Sequence, residues 1–104
     1  MNGNLMYVTA GSEEESKLIA RTVVSERLAA CANILGPVNS IYWWQGELCE
    51  EGEWAFILKT RDELLDPLTS RIKEIHSYDC PCVVALNVTG GNLDFMNWIV
   101  KETS

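Results

Sequence analysis

Four cysteines and one histidine are the side chains best suited to chemistry in this chain of 104 residues. Cys80 and Cys82 flank Pro81, while Cys31, Cys49 and His76 stand apart from them in sequence. Thiolates are soft ligands suited to Cu(I), and imidazole suits several transition ions. Cys31, His76, Cys80 and Cys82 are therefore the candidate metal ligands, with copper the candidate cofactor. A Cys-x-Cys pair on one face of a strand could hold Cu(I) in a linear or trigonal site, yet it falls short of the four ligands of a structural zinc site. A bridge between two cysteines so close in sequence strains the ring. The plainer reading is that free cysteines serve as small hydrophobes, and that His76, at the end of a helix, interacts with the helix dipole.

A second constellation is aromatic. Tyr42, Trp43, Trp44, Trp54 and Trp98 could line a pocket between subunits, with Lys59 and Tyr78 supplying polar contacts to a small anionic ligand. Trp44, Lys59, Tyr78 and Trp98 are its candidate contacts, and interface or core packing is the competing reading. One histidine and no recognisable carboxylate pair leave no evident acid–base or nucleophile system, so no enzymatic reaction is expected. Thr89-Gly90-Gly91 ahead of a helix has a weak phosphate-loop character, and a strand exit explains it as well.

The elements that must position these residues follow from pattern. Leu5–Ala10 reads as a strand, broken by Gly11-Ser12. Ser12 and Glu15 form a capping box for a helix over 13–30, whose broad apolar face includes Ile19, Val23 and Ala30. A long strand over 33–44 is interrupted by Gly36-Pro37, which implies a bulge. Gln45-Gly46 turns the chain into a second strand. Ala55–Leu58 within it is apolar at every position, as in a central strand covered on both faces.

Leu65, Leu68, Ile72 and Ile75 mark a second helix starting at Asp62 or Asp66, with Pro67 in its first turn. A last strand spans 82–88, and Asn92 caps a short helix over 93–101. The order β-α-β, β-α-β and a terminal helix is that of an α+β, ferredoxin-like split βαβ sandwich in a single domain over 1–104. Its helices cover one face of an antiparallel sheet. The other face would expose aromatic side chains, which predicts an oligomer.

Composition narrows the function classes. The net charge is −7, and acidic residues gather at Glu13–Glu15 and at Glu47, Glu50, Glu51 and Glu53. Such a surface repels phosphate backbones, so neither nucleic acid nor anionic membrane is an expected partner. The charge serves solubility or forms a weak cation-attracting rim. No apolar run approaches the ~18 residues of a membrane span. The first residues lack a secretory pattern, so a cytoplasmic location with reduced thiols is expected.

Several stretches resemble the CutA (divalent-cation tolerance) family. Leu28–Ile34, read LAACANI, resembles the family's LAACVNI, and Ser40–Gly46 resembles its SIYWW-x-G hairpin. Glu53–Arg61 is similar to the strand that ends in KTR, His76–Pro81 to HPYEVP, and Trp98-Ile99 to a late WI. The resemblance covers nearly the whole chain in order and spacing. It implies a ferredoxin-like protomer in a tight homotrimer, associated with tolerance to divalent metals, copper above all, with no established reaction. Cys31 matches the family cysteine. Cys-Pro-Cys stands where the family usually has Val-Pro-Glu, so the family carboxylate is absent. The family's architecture is similar to that of PII signalling proteins, which implies as an alternative a trimeric small-molecule sensor or interaction module with an effector site between subunits.

Overall fold

Apolar alternation in the strands and a three-to-four-residue apolar spacing in two helices meet in one layer of packed side chains. The computed structural model describes residues 3–104. The elements in chain order are β1 (Gly3–Ala10), α1 (Glu13–Ser25), β2 (Cys31–Trp44), β3 (Glu47–Arg61), α2 (Leu65–Ile75), β4 (Val83–Val88) and α3 (Leu93–Glu102). The strands form one sheet in the order β2-β3-β1-β4, each neighbour antiparallel. This is the split βαβ arrangement that the element order predicts.

Met6, Val8 and Ala10 of β1 and Phe56 and Leu58 of β3 turn to one face. Ile19, Ala20 and Val23 of α1 and Leu68 and Ile72 of α2 pack there to form the core. Removing these side chains from water contributes roughly 1.5–3 kcal/mol each for the larger ones. Buried polar groups in this layer are satisfied: Thr60 Oγ1 donates to the Leu28 carbonyl at 2.7 Å, and Asn4 Nδ2 donates to Asp62.

The capping box forms with one change. Ser12 Oγ accepts from Glu15 N–H at 3.1 Å, but the Glu15 carboxylate reaches past the cap residue to the Gly11 N–H, also at 3.1 Å. The first helix is shorter than its apolar pattern predicts, ending at Ser25 rather than residue 30. Arg27 takes a left-handed conformation (φ 60°), and the N–H groups of Leu28 and Ala29 fold back onto the Val23 carbonyl. Ala30 N–H then joins the Lys59 carbonyl at 2.8 Å, which starts β2 at Cys31, two residues earlier than expected. Leu28 and Ala29 still face the core, so they continue the apolar pattern without being helical.

The bulge predicted at Gly36-Pro37 lies between Ile34 and Gly36, where φ of Gly36 is 125°. The turn at Gln45-Gly46 has positive φ at both residues (50° and 83°), the geometry that matches strand twist in a two-residue hairpin. Asp66 does not cap the second helix. A short 3-10 turn at Asp62–Leu64 leads in, Leu64 occupies the cap position without a side-chain bond, and Asp62 is spent on Asn4. Asn92 caps α3 as expected, accepting from Asp94 N–H at 3.0 Å. That helix contacts β3 through Lys59 and Arg61, which face away from Phe56 and Leu58.

Candidate functional site

The β2–β3 hairpin outruns its neighbours. β1 meets β3 only as far as Ala10–Trp54, and the seven further pairs from Val38–Glu53 to Trp44–Glu47 extend beyond it. The bulge decides which side chains this extension presents. Cys31 and Asn33 lie on the open face before it; the extra residue shifts the alternation, so Ser40, Tyr42 and Trp44 take that face after it, opposite Glu51, Cys49 and Glu47. The segment from Tyr78 to Cys82 runs between α2 and β4 along the same side.

Between hairpin and segment lies a groove of about 550 Å³. Tyr7 and Thr9 form its floor. Tyr42, Trp44, Cys49, Glu51 and Glu53 come from the hairpin, and Tyr78, Asp79, Cys80 and Cys82 from the facing segment. Tyr78 is the best-held wall. Its hydroxyl donates to Glu53 Oε2 at 3.0 Å, and its backbone N–H donates to His76 Nδ1 at 3.0 Å. The ring also sits against Gly11, where a Cβ would come within 3.3 Å of the Tyr78 hydroxyl. Burial, together with Glu53, pushes the Tyr78 phenol well above its usual range. Partial burial and Glu51 push Tyr42 the same way. Burial raises the Cys82 thiol and Glu53 adds to it, against a lowering hydrogen bond with Thr9. Burial is the larger cause in each case, and the carboxylates of Glu51 and Glu53 add to it.

The predicted ligands separate into two places and do not form one cluster. Cys80 and Cys82 are exposed on the groove wall. Neither is part of a strand, because β4 begins at Val83; Thr9 N–H donates to the Cys82 carbonyl at 3.4 Å. Cys31 is half-buried at the far end of the sheet, paired with Lys59. Burial raises its thiol, and the nearby ammonium of Lys59 partly offsets this. His76 caps α2, but its ring turns inward and is fully engaged. Nε2 donates to the Thr9 carbonyl at 2.8 Å while Nδ1 accepts from Tyr78. That is the Nε2–H tautomer acting as a brace under the groove, with neither nitrogen free for a metal. Among the described residues, no three His, Cys, Asp or Glu side chains converge as a ready metal cluster.

The aromatic set divides too. Trp44 and Tyr78 line the groove; Lys59 and Trp98 do not. Lys59 Nζ donates to Asn33 Oδ1 at 2.9 Å and lies 5.4 Å from the Phe95 ring centre, and Phe95 in turn packs on Trp98. Lys59 is six residues from Glu53 along β3, about 20 Å away. Without it no base among the described residues lines the groove, so the expected fit to an anionic ligand is not supported. Sequence reasoning missed Glu51, Glu53, Cys49 and Asp79 as groove residues. The available signal was the hairpin itself: residues mirrored about Gln45-Gly46 share a face, which joins Tyr42 to Cys49 and Ser40 to Glu51.

A family model described as CutA1 divalent ion tolerance protein matches residues 4–102. The chain belongs to the CutA1 family. It is 43% identical over 99 residues to the chloroplastic CutA 1 protein of Oryza sativa, covering 95% of this chain and 56% of that one. The chain thus spans about half the length of the plant relatives it matches. A crystal structure of CutA1 from Oryza sativa superposes with a TM-score of 0.96 at 41% identity, covering all of this chain and 95% of the other. A periplasmic divalent cation tolerance protein CutA from Archaeoglobus fulgidus matches with a TM-score of 0.94 at 37% identity, over 98% and 99% of the two chains. CutA relatives are thus named for the chloroplast and the periplasm, and these names lend no support to the cytoplasmic location expected from the sequence. Among the described residues no helix is long and apolar enough to cross a membrane.

Proposed function

We propose that this CutA1 family member is a non-catalytic, homotrimeric metal-tolerance protein that takes copper on Cys80 and Cys82. The observation that carries the proposal is the pair of exposed thiols on the wall of an acidic groove. Two soft sulfur donors fit Cu(I), and copper bound there would draw the pair together as a two-thiolate site. Glu53 and Asp79 are hard donors on the same walls and suit a divalent ion better. Cys31 and His76 take no part in this reading.

The oligomer is supported by apolar surface that a monomer would leave wet. Val84 and Leu86 are 51% and 60% exposed on β4, and Trp43 and Leu48 are 73% and 63% exposed on the extended hairpin. A trimer would make unfolding depend on protein concentration.

The test is a competitive Cu(I) titration of the reduced protein against a chromophoric chelator, comparing wild type with Cys80→Ser/Cys82→Ser. Tight binding lost in the double variant is the expected result. Binding should also weaken as pH falls, because the thiols must lose protons and that of Cys82 is held high by burial and Glu53. Equal binding by both proteins would sink the assignment.

A second reading, a sensor for a small effector, is favoured by the aromatic walls of the groove, with Tyr7, Tyr42, Trp44 and Tyr78 all in its lining.

A further inference from the structure

His76 is the only histidine of the chain, and its side chain is closed off from solvent by that chain alone. Each ring nitrogen faces a backbone group whose role is fixed. The Thr9 carbonyl, 2.8 Å from Nε2, can only accept, so Nε2 carries a proton. The Tyr78 N–H, 3.0 Å from Nδ1, can only donate, so Nδ1 carries none. The folded segment after α2 thus requires a neutral ring. A second proton can reach Nδ1 only if the Tyr78 N–H gives up its acceptor.

The charged ring has a partner waiting. Glu15 Oε2 of α1 lies 3.8 Å from Nδ1, beyond hydrogen-bond reach but close enough to favour a protonated imidazole. That oxygen accepts instead from the Ser77 N–H at 2.8 Å, so it too is engaged with the same segment. Partial burial raises the Glu15 carboxyl, but hydrogen bonds from Ser77 and Gly11 bring it below its ordinary value. It is therefore a carboxylate over the range in which imidazoles titrate. The remaining neighbours do not compete for the proton. The Tyr78 ring centre lies 4.7 Å from that of His76, and its hydroxyl is spent on Glu53 of β3. β1 and β4 contain no charged residue. Asp79 on the segment and Lys73 and Glu74, one turn back on α2, are exposed to water.

We infer that His76 is a proton-operated latch on the segment from Ser77 to Cys82, held shut by the neutral ring and opened when Nδ1 is protonated. A solvent proton forms the new Nδ1–H, which turns to Glu15. The hydrogen bonds from the Tyr78 and Ser77 N–H groups are the ones lost. Tyr78 would then leave Glu53 and Gly11, which it meets only while that turn is folded. Cys80 and Cys82 ride on the same segment, but the latch works without any metal on them.

The experiment is NMR of the full-length, metal-free protein labelled with nitrogen-15, carried from about pH 8 to about pH 5. With a single histidine, the ring signals need no sorting. The expected spectrum at high pH is that of the Nε2–H tautomer. As the ring takes up its proton, the Tyr78 amide should shift with the same midpoint. Its protection factor against hydrogen exchange should fall at least about tenfold. His76→Asn keeps an acceptor near the position of Nδ1 but cannot be protonated, so its Tyr78 amide should stay protected throughout. Glu15→Gln removes the waiting charge, and its segment should stay shut to lower pH. Circular dichroism at each pH separates release of the segment from unfolding. A ring that gains its proton while the Tyr78 amide stays protected would overturn the inference. So would a ring that remains neutral to the end of the titration, or release in His76→Asn at the wild-type pH. The wild-type profile decides the first two of these even if His76→Asn fails to fold.

Discussion

Along β3 the open face of the sheet changes character within six residues. At Glu53 it meets Tyr78, Cys82 and a groove whose carboxylates have no basic partner among the described residues. At Lys59 and Arg61 it meets Cys31, Asn33 and α3, and the contacts Lys59–Asn33 and Arg61–Thr103 each have a base in them. The first end is open and acidic, with its charges left for something outside the chain. The second is closed, with its charges used on the chain's own last helix. The contrast teaches that the same sheet face supplies a binding surface where its charges are unpaired and an anchoring surface where they are paired.

The anchoring end should break with the largest effect. Arg61 Nε donates to Thr103 Oγ1 at 3.0 Å and its guanidinium also donates to the Thr103 carbonyl at 3.1 Å. These bonds hold the end of α3 to β3, and hydrogen bonding by a charged group contributes about 1.5–3 kcal/mol. Arg61→Ala should cost about 2 kcal/mol in urea unfolding, while Cu(I) competition stays as in wild type. An unchanged midpoint would mean that α3 is held by its apolar contacts alone.

A smaller effect is expected from the brace of the groove end. Partial burial raises the Glu15 carboxyl, but hydrogen bonds from Ser77 and Gly11 and the proximity of His76 outweigh it and bring the pKa below its ordinary value. A carboxyl lowered on folding contributes stability that is complete above its unfolded pKa and lost as pH falls through the folded one. Glu15→Gln should therefore destabilise by about 1 kcal/mol at pH 7. The gap to wild type should close as pH drops below the carboxylate range. A gap that persisted at pH 2 would assign the loss to shape and not to charge.

Much of the scaffold behind this comparison was legible in the residues. Ser12, Asn92, Gln45-Gly46 and Gly36 act through local chemistry, a side-chain oxygen or a backbone angle, and local chemistry is what a sequence displays. The end of α1 was not legible. Leu28 and Ala29 bury themselves from a turn, so periodicity counts them as helix although Arg27 has already reversed the chain. The site was half legible for a related reason. Residue type marked Cys80, Cys82, Trp44 and Tyr78, but whether Cys31 or Lys59 joined them depended on which end of the sheet each strand placed it. His76 was legible as a helix-end residue and a candidate ligand, but not as a brace, because the acceptor that claims it, the Thr9 carbonyl, belongs to backbone 67 residues away.

The finest test of the comparison uses the two thiols as local electrometers. Burial raises both Cys31 and Cys82, but their charged neighbours act with opposite sign: Lys59 lowers Cys31, and Glu53 raises Cys82. Only the thiolate is nucleophilic, so alkylation by iodoacetamide at pH 8, read site by site from peptide masses, follows each thiolate fraction. Lys59→Met should slow Cys31 and leave Cys82 unchanged. Glu53→Gln should speed Cys82 and leave Cys31 unchanged. Each change should be less than about fivefold, the size expected of a partly solvated charge pair. Added salt should shrink both, since it screens a Coulombic effect and not a steric one. If both substitutions moved their cysteines in the same direction, access and not charge would govern these thiols. The two ends of the face would then differ in packing alone, and the acidic groove would lose its claim to a distinctive field.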